Sequence, residues 1–477
     1  MSTSATGSLT AEKRPKGHPP GLYLLFSVEL WERFSYYGMR AILSLYMAAP
    51  LLFPEKVGLQ GLGMSKSQSG LILGVFQAFV YLTPIIGGYI ADNYLGRRKS
   101  IYIGGILMAL GQFTLASQVG LIGFYAGLIM IVVGNGFFKP NISTIVGSLY
   151  SDGDKRRDAA FTIFYMGINI GAFLSPLVCG WFISEENGHL GFRYGFLAAG
   201  IGMVLSLIIL QMFGQRFLGD LGKKPEGKKQ KNADGSTQTN EPLTNVEKDR
   251  IAVIFIISAF VTVFWMGFDL APTAMTFFTD ELINRNVGGF TVPTAWFQSI
   301  NPLLIVGLAP VFATLWTTLG ARNREPNVPQ KMALGIILAG AGFLFMYGAV
   351  LELGSAFSGL TGDAATAAAK QMSDAQKAGI WWVTMAYVMH TLGELCLSPV
   401  GLSMVTKLAP ARLQSMLMGV WFFSVFLANI LAGLLVGVSQ DFGYESFFLG
   451  LSIVIVGLGL VLLILSPRIK KMMHGVE

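Results

Sequence analysis

Between positions 29 and 40 the chain reads Glu29-Leu30-Trp31-Glu32-Arg33-Phe34-Ser35-Tyr36-Tyr37-Gly38-Met39-Arg40, inside an otherwise apolar run. At helical spacing Glu29 and Arg33 lie one turn apart and Glu32 sits beside them. Tyr36 or Tyr37, then Arg40, continue the same face. A stripe of two carboxylates, two guanidiniums and two phenols suits proton uptake and release. Low-dielectric walls favour the neutral acid, and a neighbouring guanidinium favours the carboxylate. An anionic ligand that draws the guanidinium away therefore couples its own binding to protonation. Arginine keeps its charge, so the glutamates are the titrating groups. The competing reading is an ion network that only holds the helix in register.

Four more charges fall in apolar runs or at their breaks: Lys139 before Pro140, Asp269, Glu394 before Pro399, and Arg40 itself. Each costs about 2.5–3.5 kcal/mol at a membrane-helix centre by insertion scales. Together with Glu29, Glu32 and Arg33 they point to a shared polar cavity. Lys139 beside a helix break can receive a carboxylate, and Glu394 can receive an ammonium. A free peptide, a zwitterion with its charges at opposite ends, matches that pair. Tyr36, Tyr37, Tyr81, Trp296 and Trp421 can line the space between. His390 is a further titratable group, although a helix histidine is more often simply hydrogen-bonded. Cys179 and Cys396 fall in apolar runs and read as packing residues. No metal site, disulfide framework or cofactor motif is expected.

Membrane helices must position these residues. The chain of 477 residues is 53% hydrophobic and 13% charged, about half the usual charged fraction. Its apolar runs are long enough to cross a hydrocarbon core of about 30 Å. Twelve spans are expected, at 21–50, 69–92, 99–118, 122–149, 159–184, 193–215, 250–280, 293–319, 330–354, 378–408, 413–439 and 443–467. Of 34 Lys and Arg, 25 fall in the N-terminal tail, the C-terminal tail and the loops after even-numbered spans, or at the span ends that adjoin them. By the positive-inside rule both termini are expected to be cytoplasmic. The net charge of +7 is therefore a topology signal, and no nucleic-acid partner is expected.

The polar stretch from Gly214 to Arg250, with Lys223, Lys224, Lys228, Lys229 and Lys231, reads as a solvated linker. It divides the chain into a tail 1–20, a six-helix bundle 21–215, a cytoplasmic linker 216–249, a second bundle 250–467 and a tail 468–477. The halves echo each other. Pro84 before Leu95-Gly96-Arg97-Arg98 parallels Pro310 before Leu319-Gly320-Ala321-Arg322, and Asn135–Pro140 parallels Glu394–Pro399. Repeated halves place a site between them near the midplane.

These residues resemble the proton-dependent oligopeptide transporters of the major facilitator superfamily. The resemblance covers the chain apart from its N-terminal tail and linker. It rests on Glu29–Gly38, on Gly87–Asp92 followed by Gly96-Arg97-Arg98, on Phe164–Gly171, on Trp296–Pro302 and on Gly393–Pro399. It implies an all-α integral membrane protein in which two six-helix bundles alternate access to a central cavity. It also implies proton-driven uptake of di- and tripeptides. Positions matching Arg33 and Lys139 serve the peptide carboxylate, and those matching Glu394, Asn169 and Asn301 serve its amino terminus. Tyr36, Tyr37 and Tyr81 line the pocket, and Ser398 belongs to the tenth-span motif at the substrate site. Glu29 and Glu32 match coupling carboxylates, Arg40 and Asp269 a gating pair, and Asp92 a helix-junction motif. Two departures stand out. Leu270 replaces the glutamine that commonly follows the seventh-span acid, and the linker is too polar to supply two extra helices. A proton-coupled peptide symporter in the cell (inner or plasma) membrane is the expectation. It would be monomeric and would use the proton gradient in place of a cofactor. The alternatives are the same fold carrying nitrate, a drug or an amino acid, a transporter-like nutrient sensor, and, more remotely, a membrane enzyme.

Overall fold

The computed structural model describes residues 17–51, 60–151, 153–154, 156–184, 191–225, 243–355 and 357–476. Most of the expected N-terminal tail and residues 226–242 of the linker lie outside the described residues. Among those described, the long helices are α1 (Pro20–Ala48), α2 (Lys66–Leu95), α3 (Arg97–Ser117), α4 (Gly120–Ser148), α5 (Arg156–Trp181) and α6 (Phe192–Leu218). The second half holds α7 (Asn245–Leu282), α8 (Thr294–Ala321), α9 (Val328–Glu352) and α10 (Ile380–Leu408). A last helical run, Gln414–Met472, breaks at Gly443, whose φ of 76° and ψ of 160° are not helical. That break divides it into α11 (414–442) and α12 (444–472). Only glycine fits there: φ is positive, and a Cβ would lie 2.6 Å from the Leu360 carbonyl oxygen.

Among the described residues twelve spanning helices result, as the sequence implies. Ten helical stretches among the described residues are long and apolar enough to cross a membrane. The run Gln414–Met472, at 59 residues, extends about 88 Å at 1.5 Å per residue, enough for two crossings. α1 is long enough but more highly charged: every 18-residue window of it holds at least three of Glu29, Glu32, Arg33 and Arg40. Its burial inside the bundle makes those charges tolerable. Between α6 and α7 lie positions 219–244, too few for two further spans of about 20 residues each.

Each half has its own apolar core. One large cluster is confined to α7–α12 and the intervening loops, and two smaller clusters are built almost wholly from α1–α6. Within the first half α1 packs on α5 and α6, α3 on α4 and α6, and α2 on α4. The halves meet where α2 crosses the last helical run and where α5 meets α8. Small residues bring α2 and α11 into backbone contact: a Cβ on Gly74 would lie 2.6 Å from the Asn429 carbonyl oxygen. There the buried Gln77 Nε2 donates to Asn429 Oδ1 at 2.8 Å.

Polar contacts between the halves gather toward the end of the bundle opposite Pro20 and Met472. Arg40 pairs with Asp269, and Lys66 with Glu281. Ser299 Oγ and Trp296 Nε1 donate to the carbonyls of Phe173 and Leu177 on α5. At the same end, short bridges pair Ile283 with Ala378 and Asn284 with Gly379, tying the α7–α8 loop to the chain entering α10. The protein is closed at this end.

Candidate functional site

The apolar flanks of α1 carry its charged stripe into the first bundle. Glu29, Glu32 and Arg33 are 2%, 0% and 3% exposed. Arg33 Nε lies 2.9 Å from Glu29 Oε1 and also contacts Glu32 Oε2. α5 approaches closely here because Gly171 has no side chain; a Cβ there would sit 2.3 Å from the Leu30 carbonyl oxygen. Arg33 Nη2 and Glu29 Oε2 have no hydrogen-bond partner among the described residues. The guanidinium thus has one edge on its carboxylates, while its terminal Nη2 is buried and unpartnered among the described residues. Lys139, half-buried on α4, stands 4.9 Å from the centre of the Tyr81 ring.

Further along α1, Arg40 Nη2 reaches Asp269 Oδ1 across the halves at 2.9 Å. Asp269 ends the regular part of α7, and a π-turn, Ala271–Met275, follows around Pro272. The Leu270 that departs from the family pattern is fully buried and joins the apolar core of the second half. In the second half, Asn301 Nδ2 donates to Glu394 Oε2 at 2.8 Å and to Thr391 Oγ1 at 3.1 Å.

A cavity of about 230 Å³ lies between the halves. Of the residues singled out in the sequence, Tyr37, Tyr81, Arg40, Asp269, Asn169, Asn301, Glu394 and Ser398 line it. His390 lines it too, with its ring between Phe343 and Phe268. Glu29, Glu32, Arg33 and Lys139 are not in its wall. Tyr36 is buried, with its ring stacked near Phe76. Trp296 is pinned to α5 by its bond to the Leu177 carbonyl and stacks near Trp181. Trp421 is buried where Gly401 on α10 gives its ring room.

A larger cleft, about 830 Å³, opens at the closed end, beside Lys66, Asp280, Glu281 and Arg285. Its charges are largely spent on one another, Lys66 with Glu281 and Arg285 with Asp280. The smaller central cavity is therefore the candidate site. Sequence reasoning missed Thr391, Gln298, Tyr165 and Tyr387. Gln298, Tyr165 and Tyr387 line the cavity, and Thr391 holds Asn301 against Glu394. The available signal was spacing: Thr391 stands one turn before Glu394, on the same face.

The model of the POT family matches residues 98–233 and 228–445. The peptide transporter YePEPT of Yersinia enterocolitica is 34% identical, with 97% of this chain and 96% of that protein aligned. A di-/tripeptide transporter of Lactococcus lactis is 32% identical, over 98% of this chain and 99% of the relative. The crystal structure of a peptide transporter POT in complex with sulfate superposes with a TM-score of 0.83. It is 33% identical and covers 97% of each chain. With a matching family model and alignments running almost end to end, this twelve-helix, multi-pass protein of the cell membrane belongs to the POT family of transporters.

Proposed function

We propose that the protein is a proton-coupled symporter that imports di- and tripeptides by rocking its two bundles about the central cavity. The observation that carries the reading is the division of charge between the two halves. The cationic groups Arg33 and Lys139 belong to the first half, and Glu394, held by Asn301 and Thr391, to the second. A peptide carboxylate takes the unpartnered Nη2 of Arg33, and Lys139, once rocking of the bundles extends the cavity to them. The peptide ammonium takes Glu394, with Ser398 beside it on α10 and Asn169 on α5 also lining the cavity. Tyr36, Tyr37 and Tyr81 shape the space between.

When the peptide carboxylate binds Arg33, it competes with Glu29 and Glu32 for the guanidinium, and one of those carboxylates then takes up a proton. Arg40 and Asp269 seal the outer end, and their separation opens it. The end bearing Pro20 and Met472 faces the cytoplasm, as the distribution of Lys and Arg requires. The energy source is the proton gradient and no cofactor takes part. The cargo passes through unmodified, so the protein is not an enzyme. It works as a monomer within the lipid bilayer and has no nucleic-acid partner. The related transporters named for peptides support this choice of cargo.

The test is uptake of labelled dialanine into proteoliposomes with and without an inward proton gradient. Gradient-dependent accumulation that a protonophore collapses is expected. Glu32→Gln should abolish accumulation while sparing peptide counterflow. Failure of the native protein to accumulate any dipeptide, in sealed vesicles holding folded protein, would refute the reading.

A further inference from the structure

Asn135 on α4 is fully buried. Its two neighbours fix where it points. A Cβ on Gly134 would lie 2.6 Å from the Gly104 carbonyl oxygen on α3, and one on Gly136 would lie 2.9 Å from that of Thr83 on α2. α4 is thus wedged between α2 and α3 at this level, and the side chain between the glycines turns to α1. There Asn135 Nδ2 donates to Glu32 Oε1 at 3.5 Å. Asn135 Oδ1 has no partner among the described residues, an expensive omission at full burial.

The two oxygens of Glu32 are divided between partners. Oε2 faces Arg33, and Oε1 faces Asn135. A proton arriving at Glu32 avoids the oxygen held against a permanent cation and bonds to Oε1. We propose that Asn135 is the positioning residue for that proton. Its amide N–H donates to the carboxylate while Glu32 is charged, and its Oδ1 accepts from the carboxylic O–H once the proton has arrived. The change needs only a half-turn of the amide, whose two ends are nearly equal in size. A hydronium ion breaks one O–H bond as the Glu32 O–H bond forms, and a neutral water leaves. The remaining charged or titratable groups about Glu32 are Glu29, Arg33 and Tyr37 on α1 and Lys139 on α4. The inference rests on reading Glu32 as a coupling carboxylate.

The experiment is gradient-driven dialanine uptake across a pH series, in the native protein, Asn135→Leu and Asn135→Ala. A hydrogen bond to a charged acceptor is stronger than one to a neutral acid, so losing both favours the protonated form. The half-maximal pH should move in the alkaline direction by about one unit. Peptide exchange without a gradient should persist in both variants. An unchanged or acid-shifted profile overturns the inference. So does loss of exchange in both variants, which would make Asn135 a packing residue. Glu32→Gln is measured alongside: if it still accumulates dialanine, the coupling role of Glu32 fails, whatever the Asn135 variants do.

Discussion

Neutralising Asp269 should open the outer end. In the closed protein Arg40 and Asp269 are 2.9 Å apart, with side chains 14% and 8% exposed. Asp269→Asn leaves Arg40 facing a neutral amide in that enclosure. An uncompensated buried charge costs about 3–5 kcal/mol. The lower end applies, because Arg40 keeps the face of Tyr37, 5.9 Å from its ring centre, and such contacts return about 0.5–1 kcal/mol. The open form hydrates Arg40, so the penalty falls on the closed form alone. About 3 kcal/mol shifts the closed-to-open ratio roughly 100-fold. Spin labels at Leu51→Cys and Val287→Cys would report it, since both positions are exposed, one in each half. The native Cys179 and Cys396 are buried and should stay unlabelled. Pulsed dipolar spectroscopy should show a single short distance in the native protein and a longer one in Asp269→Asn. Arg40→Met combined with Asp269→Leu replaces both charges with apolar groups, which is often neutral or stabilising. That double variant should return to the short distance and transport slowly. A native-like distribution in Asp269→Asn, or a double variant that stays open, would refute the reasoning.

Two further outcomes use the same structure. Lys66 Nζ binds Glu281 Oε2 at 2.6 Å and Thr366 Oγ1 at 3.0 Å nearer the surface. Lys66→Gln should open the outer end more mildly, by about 1 kcal/mol, and the swap Lys66→Glu with Glu281→Lys should restore the short label distance. A Cβ on Gly87 would lie 2.0 Å from the Gly136 carbonyl oxygen, whereas one on Gly88 would meet nothing closer than Pro140 Cβ at 3.6 Å. Gly87→Ala should therefore lower the melting temperature in detergent, with a cost of about 1–3 kcal/mol or more, and Gly88→Ala should leave it unchanged.

Some of the site was legible because membrane burial is costly. Arg40, Asp269 and Glu394 stood out as charges inside apolar runs, and all three line the cavity. The glutamates and Arg33 were legible as an interacting set because their spacing is local to one helix, and they do touch. Aromatic residues carried no such signal. Trp296 and Trp421 were grouped with Tyr37 and Tyr81 by type, yet the structure places the tryptophans in packing positions outside the cavity wall. Thr391 and Gln298 drew no attention because an uncharged polar residue costs much less in a helix than a charge does.

The sequence by itself determined the number of spans, since hydrocarbon thickness sets how long an apolar run must be. It also determined that a polar space lies within the bundle, since seven charges cannot face lipid. The tertiary structure decided which partner each charge has. Asn301 meets Glu394 across 93 positions and Arg40 meets Asp269 across 229. Pairings of that range depend on how each helix is rotated and on which end of the two bundles is closed. Rotation and closure come from close contacts such as Gly87 on Gly136 and Gly74 on Asn429. No spacing within one helix encodes those contacts, because they exist only after the helices have packed.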